Sequence, residues 1–126
     1  MKLLGEVVGR LVADGIAHAL IGAGAMAVHG VSRSTADLDL LTVDARVLVP
    51  ETWAEFEAQG RLRRLLKGDF DDPLAGSVRL ASQDEVVDVV LGRYDWQREI
   101  VDSSPPNLLG DVRVPVASPS GLVLLK

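Results

Sequence analysis

One short segment constrains the fold of this chain most, because charged and apolar residues alternate along it. The segment is Asp37-Leu38-Asp39-Leu40-Leu41. Side chains alternate across a β-strand, so the pattern predicts a strand with both carboxylates on one face. Two strand rises separate their stems by roughly 7 Å, and at an effective dielectric of about 20 the charges repel by about 2 kcal/mol. A divalent cation between them would compensate this repulsion, as in two-metal sites for phosphoryl chemistry.

The rest of the chain predicts an α/β (α+β) fold, in which a small mixed sheet carries helices mainly on one face. Apolar residues spaced for a helix occupy residues 2–14, and short apolar runs predict strands elsewhere. Small and polar residues predict loops between these elements. The predicted helices are 2–14, 23–29, 50–59, 94–101 and 118–126; the predicted strands are 16–21, 37–41, 78–80, 86–91 and 112–117; residues 68–76 are a predicted loop and 103–107 a linker.

A third acid interrupts a strongly apolar strand. The strand is Val86-Val87-Asp88-Val89-Val90, and its four β-branched residues predict burial. A carboxylate among them must be protonated, paired or bound to a metal ion. Asp88 is therefore the candidate to complete a metal site with Asp37 and Asp39.

A turn of small residues, Gly22-Ala23-Gly24, separates a predicted strand from a predicted helix. Exposed backbone N–H groups at the start of a helix, with little side-chain bulk around them, form a site for anions. The polyphosphate of an NTP would satisfy such a site. Ser32, Arg33 and Thr35, on the loop that leads to the acid pair, could donate to the same phosphates.

The same turn also matches the dinucleotide fingerprint G-x-G-x-x-A, with Asp44 22 residues after Gly22. Three features count against a dinucleotide site. The helix ends at Gly30 and is short for a crossover between parallel strands. The next strand begins with two charges, and Asp88 has no role in such a site. The alternative stays open on the sequence alone.

These motifs resemble the DNA polymerase β-like nucleotidyltransferase superfamily. The pattern of that superfamily is an apolar strand, a Gly-Gly or Gly-Ser turn, a short helix, a strand h-D-h-[D/E]-h and a later strand with a third acid. The matching segments are Leu20-Ile21-Gly22-Ala23, Asp37-Leu38-Asp39 and Val87-Asp88-Val89. His29-Gly30 and Arg33-Ser34-Thr35 look like the small bacterial branch that includes abortive-infection and toxin–antitoxin transferases. The resemblance covers residues 16–91 and extends weakly to 118–126; Ala23 departs from the usual Gly or Ser.

The resemblance implies an enzyme that moves a nucleoside monophosphate from an NTP to an acceptor hydroxyl and releases pyrophosphate. The acceptor would be tRNA, a protein or a small molecule, and a cognate antitoxin is a further candidate partner. Two Mg²⁺ ions are implied as cofactors. The implied metal-binding and catalytic residues are Asp37, Asp39 and Asp88; the implied nucleotide-binding residues are Gly22, Ala23, Gly24, Arg33, Thr35 and Lys126.

Composition limits the other possibilities. The length of 126 residues predicts one domain. Members of the superfamily that the motifs resemble continue beyond a final helix, so we expect residues 1–126 to be a nucleotidyltransferase domain that is truncated at its C-terminus. The absence of cysteine excludes thiol catalysis and cysteine zinc sites. No signal peptide or membrane-spanning run is recognisable, so we expect a cytoplasmic protein without a membrane partner.

The formal net charge of −5 argues against nonspecific coating of nucleic acid. One basic cluster, Arg61, Arg63, Arg64 and Lys67, is predicted to be a solvated face, with an acceptor-binding patch as the alternative. A non-catalytic nucleotide-binding or regulatory module of the same fold also remains open.

Overall fold

The computed structural model describes residues 2–22, 25, 37–68 and 74–118, with Asp37 described in its backbone only. Within these ranges, no helix is both long and apolar enough to cross a membrane. The elements are α1 (Lys2–Ala13), β1 (Ala19–Ile21), β2 (Asp37–Thr42), two 3₁₀ turns (Ala45–Leu48 and Pro50–Trp53), α2 (Ala54–Ala58), β3 (Leu62–Lys67), β4 (Leu74–Ala81), β5 (Val86–Gly92), α3 (Asp95–Ser103), β6 (Pro106–Leu109) and β7 (Val112–Pro115).

Strands β1 to β5 form one mixed sheet in the order β1-β2-β5-β4-β3. Strands β2 and β5 are parallel, and the other neighbours are antiparallel. Strands β6 and β7 form a separate hairpin, which is tied to the sheet where the N–H of Ala117 donates to the carbonyl of Leu20 at 3.0 Å. The predicted small mixed sheet is confirmed.

One face of the sheet is closed by apolar packing. Helix α1 places its apolar stripe on this face, and its first free N–H groups, those of Leu3 and Leu4, donate to the Glu85 carboxylate at 3.3 Å each. Trp53 and Phe56 pack edge to face in the same core. Because α1 and α2 both lie here, the helices are mainly on one face, as predicted. The buried sheet residues of this core are Leu20 of β1, Leu38 and Leu40 of β2, Val78 and Leu80 of β4, and Val87, Val89 and Leu91 of β5.

The opposite face is covered in part by α3. Ile100 and Val101 of α3 form a small second core with Leu41, and Val90 packs against it. Two residues earlier on the same strands, and therefore on the same face, lie Asp39 and Asp88. Both acids are partly exposed. The polar part of this face is thus beside a small apolar patch and not within the main core.

Several predicted boundaries are wrong. Strand β3 was not predicted, because a bulge between Leu62 and Arg64 breaks the alternation that would have revealed it. The predicted loop 68–76 overlaps β4, which begins at Leu74, and the predicted linker 103–107 overlaps α3 and β6. The predicted helix 50–59 is a 3₁₀ turn followed by the five-residue α2.

The dinucleotide-binding alternative is contradicted by the topology. Strands β1 and β2 are antiparallel, with Ile21 opposite Asp39, whereas the dinucleotide fingerprint belongs to a parallel strand–helix–strand unit. Asp44, the acid that would bind the ribose, caps a 3₁₀ turn instead and accepts from the backbone N–H of Arg46 at 3.0 Å. The side-chain hydrogen bonds from Arg46 lower the pKa of Asp44.

Candidate active site

Two of the predicted acids face each other on neighbouring strands. Asp39 of β2 and Asp88 of β5 are register partners in the parallel pair, so their Cα atoms are about 5 Å apart across the strands. At that separation and an effective dielectric of about 20, two unpartnered carboxylates would repel by about 3 kcal/mol. The fold therefore brings two like charges together at a cost that a cation would offset.

Gly22 lies against the carboxylate of Asp39. It follows β1, whose last residue Ile21 is the register partner of Asp39, and its φ of +68° is in the left-handed region. A Cβ atom at this position would be 2.9 Å from Oδ2 of Asp39. The backbone conformation favours glycine here, and any side chain would also push the Asp39 carboxylate away from its present position.

Arg79 of β4 holds the third acid. Its Nε donates to Oδ1 of Asp88 and its Nη2 to Oδ2, both at 2.9 Å, in a bidentate ion pair. Arg79 is the register partner of Asp88 in the antiparallel pair of β4 and β5. Of the three alternatives expected for this carboxylate, pairing is the one observed. Alternation with Val78 and Leu80 assigns Arg79 to the polar face, but the sequence does not give the register that places it opposite Asp88.

The charges form a row across four strands. Asp39, Asp88, Arg79 and Arg64 occupy successive register positions on β2, β5, β4 and β3. The row begins with two acids and ends with two cations, of which Arg64 lies on the edge strand β3. Cations on an edge strand also discourage pairing with other sheets.

The predicted basic cluster therefore divides into two parts. Arg63, Arg64 and Lys67 are exposed on β3, as predicted for a solvated face. Arg61 is partly buried; it is paired with Glu6, and its guanidinium lies 4.7 Å from the centre of the Phe56 ring. Arg61 stabilises the packing of α1 against α2 and does not belong to the row of charges.

The remaining predicted site residues are described in part or not at all. The backbone of Asp37 pairs with Val86, two positions before Asp39 on β2, so alternation puts both on one face of the strand. Among the side chains that the structure describes, no three acids or histidines converge on a common point. The residues that lie outside the described part of the chain are Ala23, Gly24, Arg33, Thr35 and Lys126.

Comparison with known proteins gives matches at the level of structure. No family model and no curated protein matches the chain. A Thermotoga maritima protein assigned as a nucleotidyltransferase superposes with a TM-score of 0.67 at 14% identity, over 98% of this chain and 80% of that one. The antibiotic-resistance factor ANT(2'')-Ia gives 0.61 at 17% identity, over 97% and 66%. A Helicobacter pylori protein assigned as a nucleotidyltransferase gives 0.53 at 19% identity, over 98% and 54%.

The chain has the nucleotidyltransferase fold. The fold that the resemblance implies is confirmed, since each of these structures covers almost the whole chain. The chain spans between about half and four fifths of the length of these three proteins. At identities below one fifth, the shared fold does not transfer an activity.

Proposed function

We propose that this protein is a metal-dependent nucleotidyltransferase that moves an NMP from an NTP to an acceptor hydroxyl and releases pyrophosphate. The observation that carries the proposal is the pairing of Asp39 with Asp88 across β2 and β5, with the bare backbone of Gly22 against the Asp39 carboxylate. The same fold in the neighbouring structures supports it.

The donor set fits Mg²⁺, which prefers carboxylate oxygens. Asp39 and Asp88 supply such oxygens from adjacent strands, and Asp37 lies two positions before Asp39 on the same strand. The absence of a side chain at Gly22 leaves room beside Oδ2 of Asp39 that a Cβ atom would fill. Two Mg²⁺ ions, when bound, would neutralise charge on the triphosphate and on the reacting oxygens.

The residues of the chain would share the remaining work. Asp37 and Asp39 would hold the cations and Asp88 would complete the metal site, while the amides of the Gly22–Gly24 turn and the side chains of Arg33 and Thr35 would bind the triphosphate. Lys126 is a further phosphate or nucleotide contact by analogy with the superfamily. The acceptor oxygen attacks the α-phosphorus, the bond from that phosphorus to the β-phosphate oxygen breaks, and pyrophosphate leaves. Asp88 takes the proton of the acceptor hydroxyl.

The acceptor in this proposal is tRNA, a protein or a small molecule. One neighbouring structure is of ANT(2'')-Ia with adenylyl-2''-tobramycin, so for that protein the adenylylated molecule is small. A cognate antitoxin is a part of the proposal that comes from the resemblance, and a cytoplasmic location is a part that comes from the composition of the sequence.

The test is transfer of label from each α-labelled NTP, with Mg²⁺, to cell RNA, cell protein and aminoglycosides. We expect label in one acceptor class together with equimolar pyrophosphate. Asp39→Asn should lower transfer by at least about 1,000-fold, since it removes a metal-binding charge without changing shape. Asp84→Asn, an exposed acid in the turn between β4 and β5, is the matched control and should transfer normally. Full activity of Asp39→Asn would defeat the assignment.

A non-catalytic nucleotide-binding module is the second candidate. It is favoured by the bidentate pair with Arg79, which uses both oxygens of Asp88. Calorimetric titration with Mg-NTP separates the two candidates. Binding without pyrophosphate release, in the presence of all three acceptor classes, indicates the module.

A further inference from the structure

Two interactions compete for the carboxylate of Asp88: a cation shared with one neighbouring strand, and an ion pair with the other. On one side, across the parallel pair, is Asp39; on the other side, across the antiparallel pair, is Arg79. A cation shared by the two acids requires Asp88 to offer oxygens toward β2. In the structure, both of its oxygens accept hydrogen bonds from Arg79 of β4.

The two members of this ion pair differ in exposure. The side chain of Asp88 is 18% exposed and that of Arg79 is 44% exposed. A largely buried carboxylate is costly when it has no partner, whereas a half-exposed guanidinium turns into water at little cost. Asp88 therefore needs a cationic partner more than Arg79 needs an anionic one, and Arg79 is the more exposed member of the pair.

We propose that Arg79 is a positioning residue that competes with the metal ion for Asp88 and thereby sets the cation affinity of the site. The proposal rests on the proposed function, since it needs Asp88 to be a metal ligand. In the metal-free protein Arg79 holds the carboxylate on the β4 side. With Asp88 turned toward a cation on the β2 side, the guanidinium of Arg79 would turn away toward solvent.

Competition predicts that weakening the pair tightens metal binding. Arg79→Gln removes both the charge and the fork of donors. Arg79→Lys keeps the charge but loses the two parallel donors that match a carboxylate. Arg64→Gln is the matched control, because it removes the next cation in the row and leaves the hydrogen bonds between Arg79 and Asp88 in place.

The experiment is calorimetric titration of the full chain with Mn²⁺ alone, without nucleotide. We expect Arg79→Gln to bind about tenfold tighter than the wild type and Arg79→Lys about threefold tighter, since charge-assisted bidentate pairs are the stronger class. Arg64→Gln should stay within about twofold. Circular dichroism melts establish that each variant is folded, and Arg79→Lys carries the test if Arg79→Gln does not fold.

Unchanged or weaker Mn²⁺ binding in the Arg79 variants would overturn the proposal. Tighter Mn²⁺ binding by Arg79→Gln together with wild-type affinity in Arg79→Lys would also overturn it. That pattern would reflect the loss of a positive charge and not the loss of the bidentate ion pair with Asp88. Asp39→Asn separates this failure from failure of the proposed function. If the wild type binds Mn²⁺ and Asp39→Asn does not, the metal site stands whatever Arg79 does. If neither protein binds Mn²⁺ without nucleotide, the proposal about Arg79 fails, and the transfer of label decides the proposed function.

Discussion

The two faces of the central strands β2 and β5 differ in chemistry, although successive residues of the same strands supply both faces. On the closed face, Leu38, Leu40, Val87 and Val89 are fully buried against the main core. On the open face, the alternate positions carry the acids, and the only apolar cover described is the small cluster under α3. Alternate residues of one strand thus serve different purposes: one set stabilises the core, and the other set carries the candidate site.

The two faces also differ in what each contributes to folding. Burial of a leucine side chain on the closed face stabilises the protein by about 2 kcal/mol. The facing acids oppose folding, and Arg79 offsets part of that repulsion. Because two like charges at register-partner positions repel each other, their arrangement calls for a functional explanation.

The largest expected effect comes from a substitution on the closed face. Leu40→Ala should lower the free energy of unfolding by about 2–5 kcal/mol, because a fully buried side chain leaves a cavity. Asp39→Asn, one residue away on the other face, should leave stability unchanged or raise it, because it removes one of two facing charges. Urea unfolding measures both. A loss in Asp39→Asn as large as that in Leu40→Ala would show that the faces are not separable.

The second-largest expected effect comes from adding a side chain at Gly22, beside the acids of the open face. Gly22→Ala should cost about 1–2 kcal/mol from its left-handed backbone. It should also weaken Mn²⁺ binding, because the new Cβ displaces the Asp39 carboxylate. Gly15→Ala is the matched control, since its φ is +67° and a Cβ there meets nothing within 4 Å. Equal Mn²⁺ affinities in the two variants would remove Gly22 from the site.

The sequence predicts the two faces of β2 and β5 well, because the alternation of charged and apolar residues fixes which side chains share a face. It predicts the antiparallel course of β1 poorly, since a G-x-G-x-x-A turn is compatible with either topology. The role of Arg79 was missed because register depends on pairing between β4 and β5, which is set by the whole sheet. The two facing acids can be identified from alternation within their own strands. The partner of Asp88 depends on how two different strands pair.

A smaller effect concerns the helix that closes the apolar face. Glu85→Ala should lower the free energy of unfolding by about 1 kcal/mol, because it removes the acceptor for the first N–H groups of α1. Asp84→Ala, at the adjacent exposed position, should have no measurable effect. Thermal melts and the helical circular dichroism signal report both. Equal stability in the two variants would mean that α1 needs no cap from the sheet.

The smallest effect is a dependence on pH that arises beside β1. His18 is buried, and because a carbonyl only accepts, its Nδ1 donates to the Ile16 oxygen at 2.8 Å. Burial lowers the pKa of His18 below its ordinary value of 6.5. The unfolded chain therefore takes up a proton first, so stability is full above about pH 6.5 and declines as the pH falls toward the lower pKa of the folded state.

We expect Tm to drop by a few degrees between pH 7.5 and pH 5.5, on the scale of about 1 kcal/mol. His18→Gln should flatten this slope, whereas His29→Gln, which changes the second of the two histidines, should retain it. A slope that survives in His18→Gln and disappears in His29→Gln would place the titrating group near the predicted phosphate-binding loop. The pH response would then not arise from the buried ring of His18.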